Sequence, residues 1–134
     1  MVIDTSAVLA ILQDEPERRR FAESIEAADT RWMSAATWVE SSLVVEARYG
    51  SDGLRDFDRL MERIAVEVVP VDLEQARAAR EAFRRFGKGR HPAGLNFGDC
   101  FSYALARVFG EPLLFKGGDF SQTDLVKTPY GGSP

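Results

Sequence analysis

Four acidic residues stand at positions where carboxylates could act together. Asp4 directly follows an apolar run at the start of the chain, and Asp119 follows a second apolar run after a link that contains two glycines. Asp99 lies near the start of a predicted helix, and Glu40 lies inside another. Mg²⁺ and Mn²⁺ prefer oxygen ligands and are often held by a few carboxylates plus waters. If the four acids meet in the fold, they predict a hard-metal site.

The remaining residue types narrow the chemistry. The chain has one His and one Cys and no CxxC or HExxH pattern, so a tetrahedral zinc site is not expected. An oxygen-bound divalent ion can activate a water and neutralise the charge of a phosphate. The matching reaction is hydrolysis of a phosphodiester bond.

Glu40 carries the strongest individual signal. Leu43, Val44 and Ala47 follow it by three, four and seven positions, which is the spacing of one helix face. This pattern predicts a carboxylate within an apolar stripe. A buried, unpartnered carboxylate costs more free energy than a small domain can lose, so Glu40 should meet a cation or a proton.

The other acids also have purely structural interpretations. Asp4 could cap a helix, Asp119 could be a turn residue, and Asp99 could compensate a helix dipole. None of these roles excludes a shared site, because ligands of open parallel sheets bind at the carboxyl ends of the strands.

Apolar strands and helical segments alternate along the chain. This order predicts an α/β fold with a mostly parallel sheet of four or five strands and helices on both faces. We expect one domain over residues 1–134, with 129–134 as a flexible tail. The predicted strands are 1–3, 31–33, 65–71 and 112–115, and the predicted helices are 5–13, 17–28, 34–49, 51–63, 72–86 and 96–110.

The composition is that of an ordinary globular domain, with 45% hydrophobic and 28% charged residues. No apolar stretch is long enough to predict a membrane span. The lone Cys100 and the absence of an N-terminal signal-like segment lead us to expect a reducing, cytoplasmic location.

Charge is segregated along the chain. The net charge of −4 argues mildly against phosphate binding, but the stretch 82–98 holds no acid and several cations. We predict that it guides a nucleic acid to the site; the alternative is a solvated helix end. The cations singled out are Arg84, Arg85, Lys88 and Arg90.

The ordered set of acids resembles a known family. Asp4-Thr5-Ser6-Ala7, Glu40 in the third helix, Asp99 opening a late helix and Asp119-Phe120 together resemble PIN domains, and within them the VapC toxins, over nearly the whole chain. VapC toxins are ribonucleases that use Mg²⁺ or Mn²⁺ and are silenced by a VapB antitoxin. The resemblance therefore implies an RNA substrate, a VapB-type antitoxin partner and a homodimer.

The resemblance also assigns roles to residues. Asp4 and Asp99 would bind the metal, Glu40 and Asp119 would bind it directly or through water, and Thr5 or Ser6 would support them. Many relatives carry a further acid where Gly117 stands here. The sequence therefore does not decide whether one or two metal ions bind. Asp124 is a secondary candidate ligand, with a cap or turn role as its alternative.

Two further functions stay open. The chain could be a catalytically silent PIN-like module that binds RNA or protein, or a structure-specific DNA nuclease. Four aromatic residues near the acids could stack unpaired bases or belong to the core. They are Phe97, Phe101, Tyr103 and Phe120.

Overall fold

A computed structural model describes residues 1–125, and the predicted tail 129–134 lies outside this range. The described chain forms a sheet of four parallel strands with five α-helices and a final 3₁₀ turn. The predicted α/β class is confirmed. The strands are β1 (Val2–Ile3), β2 (Trp32–Ser34), β3 (Glu67–Val69) and β4 (Leu113–Leu114); the helices are α1 (Thr5–Leu12), α2 (Arg18–Ala27), α3 (Ala35–Arg63), α4 (Leu73–Phe86) and α5 (Phe97–Phe109); the 3₁₀ turn is Phe120–Gln122.

The third strand is shorter than predicted, whereas the interruption at Gly50 is where it was expected. The strand predicted over 65–71 covers only Glu67–Val69, because Ala65 adopts a positive φ of 51° and Pro70 has no N–H to give to the sheet. Gly50 separates two helical segments of α3, as predicted. Its φ of 68° and ψ of −155° are not helical, so α3 is kinked there and a second helical segment runs on to Arg63.

Short polar side chains begin the helices that follow strands. Asp4 starts α1 by accepting the N–H of Ser6 at 3.0 Å, and Ser34 starts α3 by accepting the N–H of Ala36 at 3.2 Å. These caps satisfy N–H groups that have no partner within the helix. As a result, α1 and α3 both begin at the carboxyl edge of the sheet.

The sheet separates two hydrophobic clusters. Successive strand residues point to opposite faces, and Val2 and Ile3 accordingly pack into different clusters. Ile3 lies with the buried residues of α1, α2 and α3, whereas Val2 lies with those of α4 and α5. The domain therefore has helices on both faces of the sheet, as predicted.

The strand order β3-β2-β1-β4 creates a crevice beside β1. From β1 the chain crosses through α1 and α2 to β2 on one side, while β4 pairs with β1 on the other. Such a reversal of strand order is where open parallel sheets bind ligands. Asp4 and the segment after β4 both lie at this point. Within residues 1–125, no helix combines the length and apolar character that crossing a membrane requires.

Candidate active site

Asp4 is the buried centre of the site. It follows β1 directly, and both of its carboxylate oxygens are held by hydroxyl groups. Ser6 donates its backbone N–H and its Oγ to Oδ2 at 3.0 and 2.7 Å, and Ser102 donates its Oγ to Oδ1 at 2.6 Å. Asp4 is thus both the helix cap that its alternative interpretation proposed and a fixed carboxylate in the crevice.

Glu40 is held against Asp4 by the neighbouring threonine. Thr5 donates its Oγ1 to Glu40 Oε1 at 2.6 Å, and Ser41 donates to Thr5 Oγ1 at 3.0 Å. Burial raises the pKa of Glu40, the Thr5 hydrogen bond partly opposes this, and the charge of Asp4 raises it further. Predicted supporting residues Thr5 and Ser6 therefore contact one acid each.

The prediction that Glu40 lies within a buried apolar stripe of α3 is wrong. Leu43 exposes 62% of its surface and Ala47 is also exposed, so these residues form no buried stripe with Glu40. Instead, Glu40 is half-buried because its carboxylate packs on Gly98 at the start of α5, where an added Cβ would overlap it.

Asp99 faces the same crevice from the first turn of α5. Its N–H donates to Asn96 Oδ1 at 2.8 Å, and the Asn96 N–H donates to Asp99 Oδ2 at 3.0 Å, which forms a reciprocal capping box. Burial raises the pKa of Asp99 to about 7, against the lowering effect of the Asn96 N–H; the charges of Asp4, Glu40 and Asp119 raise it as well.

Asp119 completes the set from the segment after β4. It is exposed, and its side chain caps no N–H of the following 3₁₀ turn. Its charge nonetheless reaches Asp99, so all four predicted acids interact electrostatically at one end of the sheet. Residues 1–125 contain no group of three or more acids, thiols or imidazoles already drawn into a metal-binding arrangement.

The nearby cation does not neutralise this cluster. Lys116 follows β4 and its backbone N–H donates to Ser6 Oγ at 2.9 Å, but its ammonium group pairs with Glu15 and with Glu17. Neither Glu40 nor Asp99 has its pKa lowered by a Lys or Arg within the described chain. The acids therefore repel one another without an internal counter-charge.

Several residues of the site were missed in the sequence. Thr37, Ser41 and Ser102 are fully buried polar residues that support the acids. Because Ser102 gives its proton to Asp4, Thr37 must donate to Ser102 across their 3.1 Å contact. Their spacing was a usable signal: Thr37 and Ser41 flank Glu40 on α3, and Ser102 follows Asp99 by three positions.

Asp124 does not join the acid cluster. It accepts hydrogen bonds from the Tyr103 hydroxyl at 2.5 Å, from Arg107 at 2.9 Å and from Arg85 at 3.1 Å. Although burial alone would raise the pKa of Asp124, the Tyr103 hydrogen bond and the Arg107 and Arg85 charges lower it. These contacts correct its assignment as a secondary ligand: they fasten the segment after β4 to α4 and α5.

We expect Asp124→Asn to destabilise the domain in a pH-dependent way. A carboxylate with a lowered pKa stabilises the fold above its ordinary pKa, and this contribution is lost as pH falls through the folded value. Near pH 7 the variant should melt about 2–5 °C lower, for a loss of roughly 1 kcal/mol. The two proteins should converge only when the pH falls below the lowered pKa of Asp124 in the fold.

Thermal denaturation followed by circular dichroism measures the melting temperatures of the variant and of wild type at pH 7 and at acidic pH. Asp56→Asn is the matched control, because Asp56 only pairs with Arg59 at 3.8 Å on the open surface of α3. Equal melting temperatures for the Asp124 variant and wild type at pH 7 would show that the hydrogen bonds and ion pairs of Asp124 contribute nothing to stability.

The predicted basic rim is partly engaged within the chain. Arg85 pairs with Asp124, and Arg84 pairs with Glu81 at 3.4 Å. Arg90 lies over the ring of Phe83, whereas Lys88 is exposed and has no ion pair in the described chain. The role of this rim in binding RNA stays a prediction.

The four aromatic residues divide into two pairs. Tyr103 and Phe120 are buried with α4 and α5, as their core interpretation proposed. Phe101 is only partly buried and Phe97 is exposed. Of the four, only Phe97 therefore offers solvent a largely open ring.

Comparison with known proteins agrees with this arrangement. A family model described as the PIN domain matches residues 1–126. Ribonuclease VapC30 of Mycobacterium tuberculosis is 56% identical over 126 residues, which cover 94% of this chain and 96% of that protein. Ribonuclease VapC of Mycolicibacterium smegmatis is 54% identical over 126 residues, with 94% and 98% covered.

Solved structures share the fold at lower identity. The crystal structure of Mycobacterium tuberculosis VapC20, described as a sarcin-ricin loop cleaving toxin, has a TM-score of 0.75 and 19% identity, with 95% of this chain and 97% of that chain covered. A toxin–antitoxin complex from Klebsiella pneumoniae has a TM-score of 0.67 and 19% identity, with 97% and 98% covered.

Proposed function

The chain belongs to the VapC ribonucleases of the PIN-domain family, and from this premise we propose that it hydrolyses RNA phosphodiester bonds with Mg²⁺ or Mn²⁺ as the toxin of a VapBC pair. The observation that carries the proposal is the convergence of Asp4, Glu40, Asp99 and Asp119 at the switch point of the sheet. Identity above 50% over nearly the full length of named ribonucleases supports the substrate class.

The donor set fits a hard divalent cation. All four groups are carboxylates, burial and mutual repulsion raise the pKa of Asp99 and Glu40, and no Lys or Arg of residues 1–125 offsets this. A divalent ion would supply the missing positive charge. Without it, the four carboxylates repel one another. When bound, the ion supplies Lewis acidity that activates water and stabilises charge on the phosphate.

The hydrogen bonds leave specific oxygens free to hold such an ion. A carboxylate oxygen has two lone pairs. Asp4 Oδ2 uses both for Ser6, whereas Oδ1 accepts only from Ser102 and keeps one. Glu40 is fixed through Oε1, and Asp99 through Oδ2, which leaves the second oxygen of each. We assign direct binding to Asp4 and Asp99, with Glu40 and Asp119 binding directly or through water.

The surrounding residues contribute orientation. The hydroxyls of Thr5, Ser6 and Ser102 hold two acids in fixed rotamers, and fixed ligands lose less entropy when they bind. The backbone N–H of Lys116 ties Ser6 to the segment that carries Asp119. Binding and positioning of RNA at this edge are thus prepared by the fold.

A VapB-type antitoxin and a second copy of the chain are the proposed partners. A relative of the same fold was solved as a toxin–antitoxin complex. Exposed apolar residues on α3, namely Trp38, Val39 and Leu43, provide surface that a protein partner could bury. A cytoplasmic location is part of the same proposal.

The decisive experiment is cleavage of total cellular RNA by the purified protein with Mg²⁺, Mn²⁺ or EDTA. We expect discrete cuts with either ion and none with EDTA. Single-stranded and flapped DNA run in parallel test the DNA-nuclease alternative, and DNA cuts without RNA cuts would favour it. No cleavage of any substrate with either metal would favour a silent RNA- or protein-binding module.

A further inference from the structure

An aromatic ring stands in solvent on the first turn of α5. Phe97 exposes 78% of its surface, and its ring meets the partly buried Phe101 edge-on with centroids 4.9 Å apart. Leaving a phenylalanine in water forgoes the free energy that its burial would provide. The position therefore favours contact with a molecule that covers it.

This ring forms one wall of a groove between α4 and α5. The groove has a volume of about 430 Å³, and its wall is almost entirely apolar. Ala79 and Phe83 form the side that belongs to α4, and Phe97 and Phe101 form the side that belongs to α5. A groove of this size takes a small planar ligand rather than a long helix.

Cations stand beside the apolar wall. Arg80 and Arg84 are four residues apart on α4 and both line the groove. Arg84 has only a weak, exposed pairing with Glu81, and Arg80 has no ion pair within residues 1–125. In a chain of net charge −4, this placement favours a ligand that joins an apolar face to a negative group.

The groove and the acid cluster lie on two sides of the start of α5. Phe97 and Asp99 are two positions apart on the first turn, so their side chains leave the helix about 200° apart. Gly98, between them, contacts the carboxylate of Glu40. A ligand on Phe97 would consequently lie about one helix width, roughly 10 Å, from the acids.

We propose that this groove binds one unpaired base of the RNA, a short distance along the strand from the bond that is cut. The base stacks on Phe97, and a neighbouring phosphate pairs with Arg80 and Arg84. Unpaired bases are recognised on aromatic rings and phosphates on arginines. The inference rests on the proposed ribonuclease function and adds a base-binding subsite to it.

The test measures RNA affinity in an Asp99→Asn background, which keeps the RNA intact. The probe is a fluorescein-labelled single strand of about 12 nucleotides without self-complementarity, within the usual site size. Phe97→Ala should weaken binding about 5- to 100-fold, the range for base-stacking aromatics. Phe97→Trp should retain it, and Arg80→Gln should weaken it and reduce the salt dependence by about one counterion.

Tyr49→Ala is the matched control, because Tyr49 is an exposed aromatic residue on α3 and should leave affinity unchanged. Unchanged affinity in Phe97→Ala, or a background that binds no RNA, would overturn the inference. If Phe97→Ala changes the sedimentation coefficient of the protein but not its RNA affinity, the inference is also overturned, and the groove is identified as a protein interface. Wild-type cleavage of total RNA separates these results from failure of the ribonuclease function itself.

Discussion

Replacing Asp99 with asparagine should abolish RNA cleavage and yet stabilise the metal-free protein. Asparagine keeps the size of the side chain and an oxygen that can accept the Asn96 N–H, so the capping box should survive. It removes a charged ligand, and we expect cleavage with Mg²⁺ to fall at least about 100-fold. Gel analysis of RNA cleavage at saturating metal measures this loss.

The gain in stability follows from the raised pKa of Asp99. Its value of about 7 in the fold lies above that of an unfolded aspartate, so the folded state holds a proton that the unfolded state releases. This contribution is present below about pH 4 and is lost as pH rises to about 7. In EDTA the variant should match wild type below about pH 4 and melt about 2–6 °C higher near pH 8, for relief of roughly 1 kcal/mol.

Mg²⁺ should reverse the order of the two melting temperatures at pH 8. Mg²⁺ binds the folded state and should raise the melting temperature of wild type at pH 8, with little effect on the variant. Asp58→Asn, an exposed acid on α3, is the control and should change neither cleavage nor the response to metal. An Asp99→Asn protein that still cleaves RNA would contradict the assignment of Asp99 as a metal ligand. One that melts below wild type at pH 8 in EDTA would contradict the repulsion between Asp99 and the other acids.

The fold could be predicted because its signals are local. A short polar residue at the carboxyl end of each of β1 and β2 caps the next helix, and the alternation of strands and helices leaves few possible topologies. The break at Gly50 was predictable as well, because glycine readily adopts the positive φ that interrupts a helix. Phe57 and Leu60 pack the second segment of α3 into the core.

The acids were easier to find than their supports. Asp4 and Asp99 occupy positions that chain order alone identifies, whereas the hydrogen bond from Ser102 to Asp4 joins residues 98 positions apart. Glu40 was selected for a stripe that lies in solvent, because helical spacing defines a face without saying which element covers it. Asp124 was misplaced because two arginines reach it from helices distant in sequence.

Gly98→Ala should impair cleavage without unfolding the domain. An alanine Cβ at this position would overlap the Glu40 carboxylate, which is the far end of a flexible side chain and can move. Alanine favours a helix over glycine, so the melting temperature should stay constant or rise slightly. Displacing one acid by about 1 Å at a site of aligned groups should lower the cleavage rate about 10- to 100-fold.

Two comparisons assign this loss to Glu40. Gly118→Ala is the control, because an added Cβ there meets only Ser121 Oγ at 3.9 Å and should leave cleavage unchanged. In a Glu40→Ala background no carboxylate remains to be displaced, so adding Gly98→Ala should change the residual rate less than about twofold. Equal losses in both backgrounds would mean that Gly98 acts through the start of α5 rather than through Glu40. A strong dependence on the background would instead make the missing Cβ of Gly98 the reason that a half-buried glutamate can stand beside Asp4.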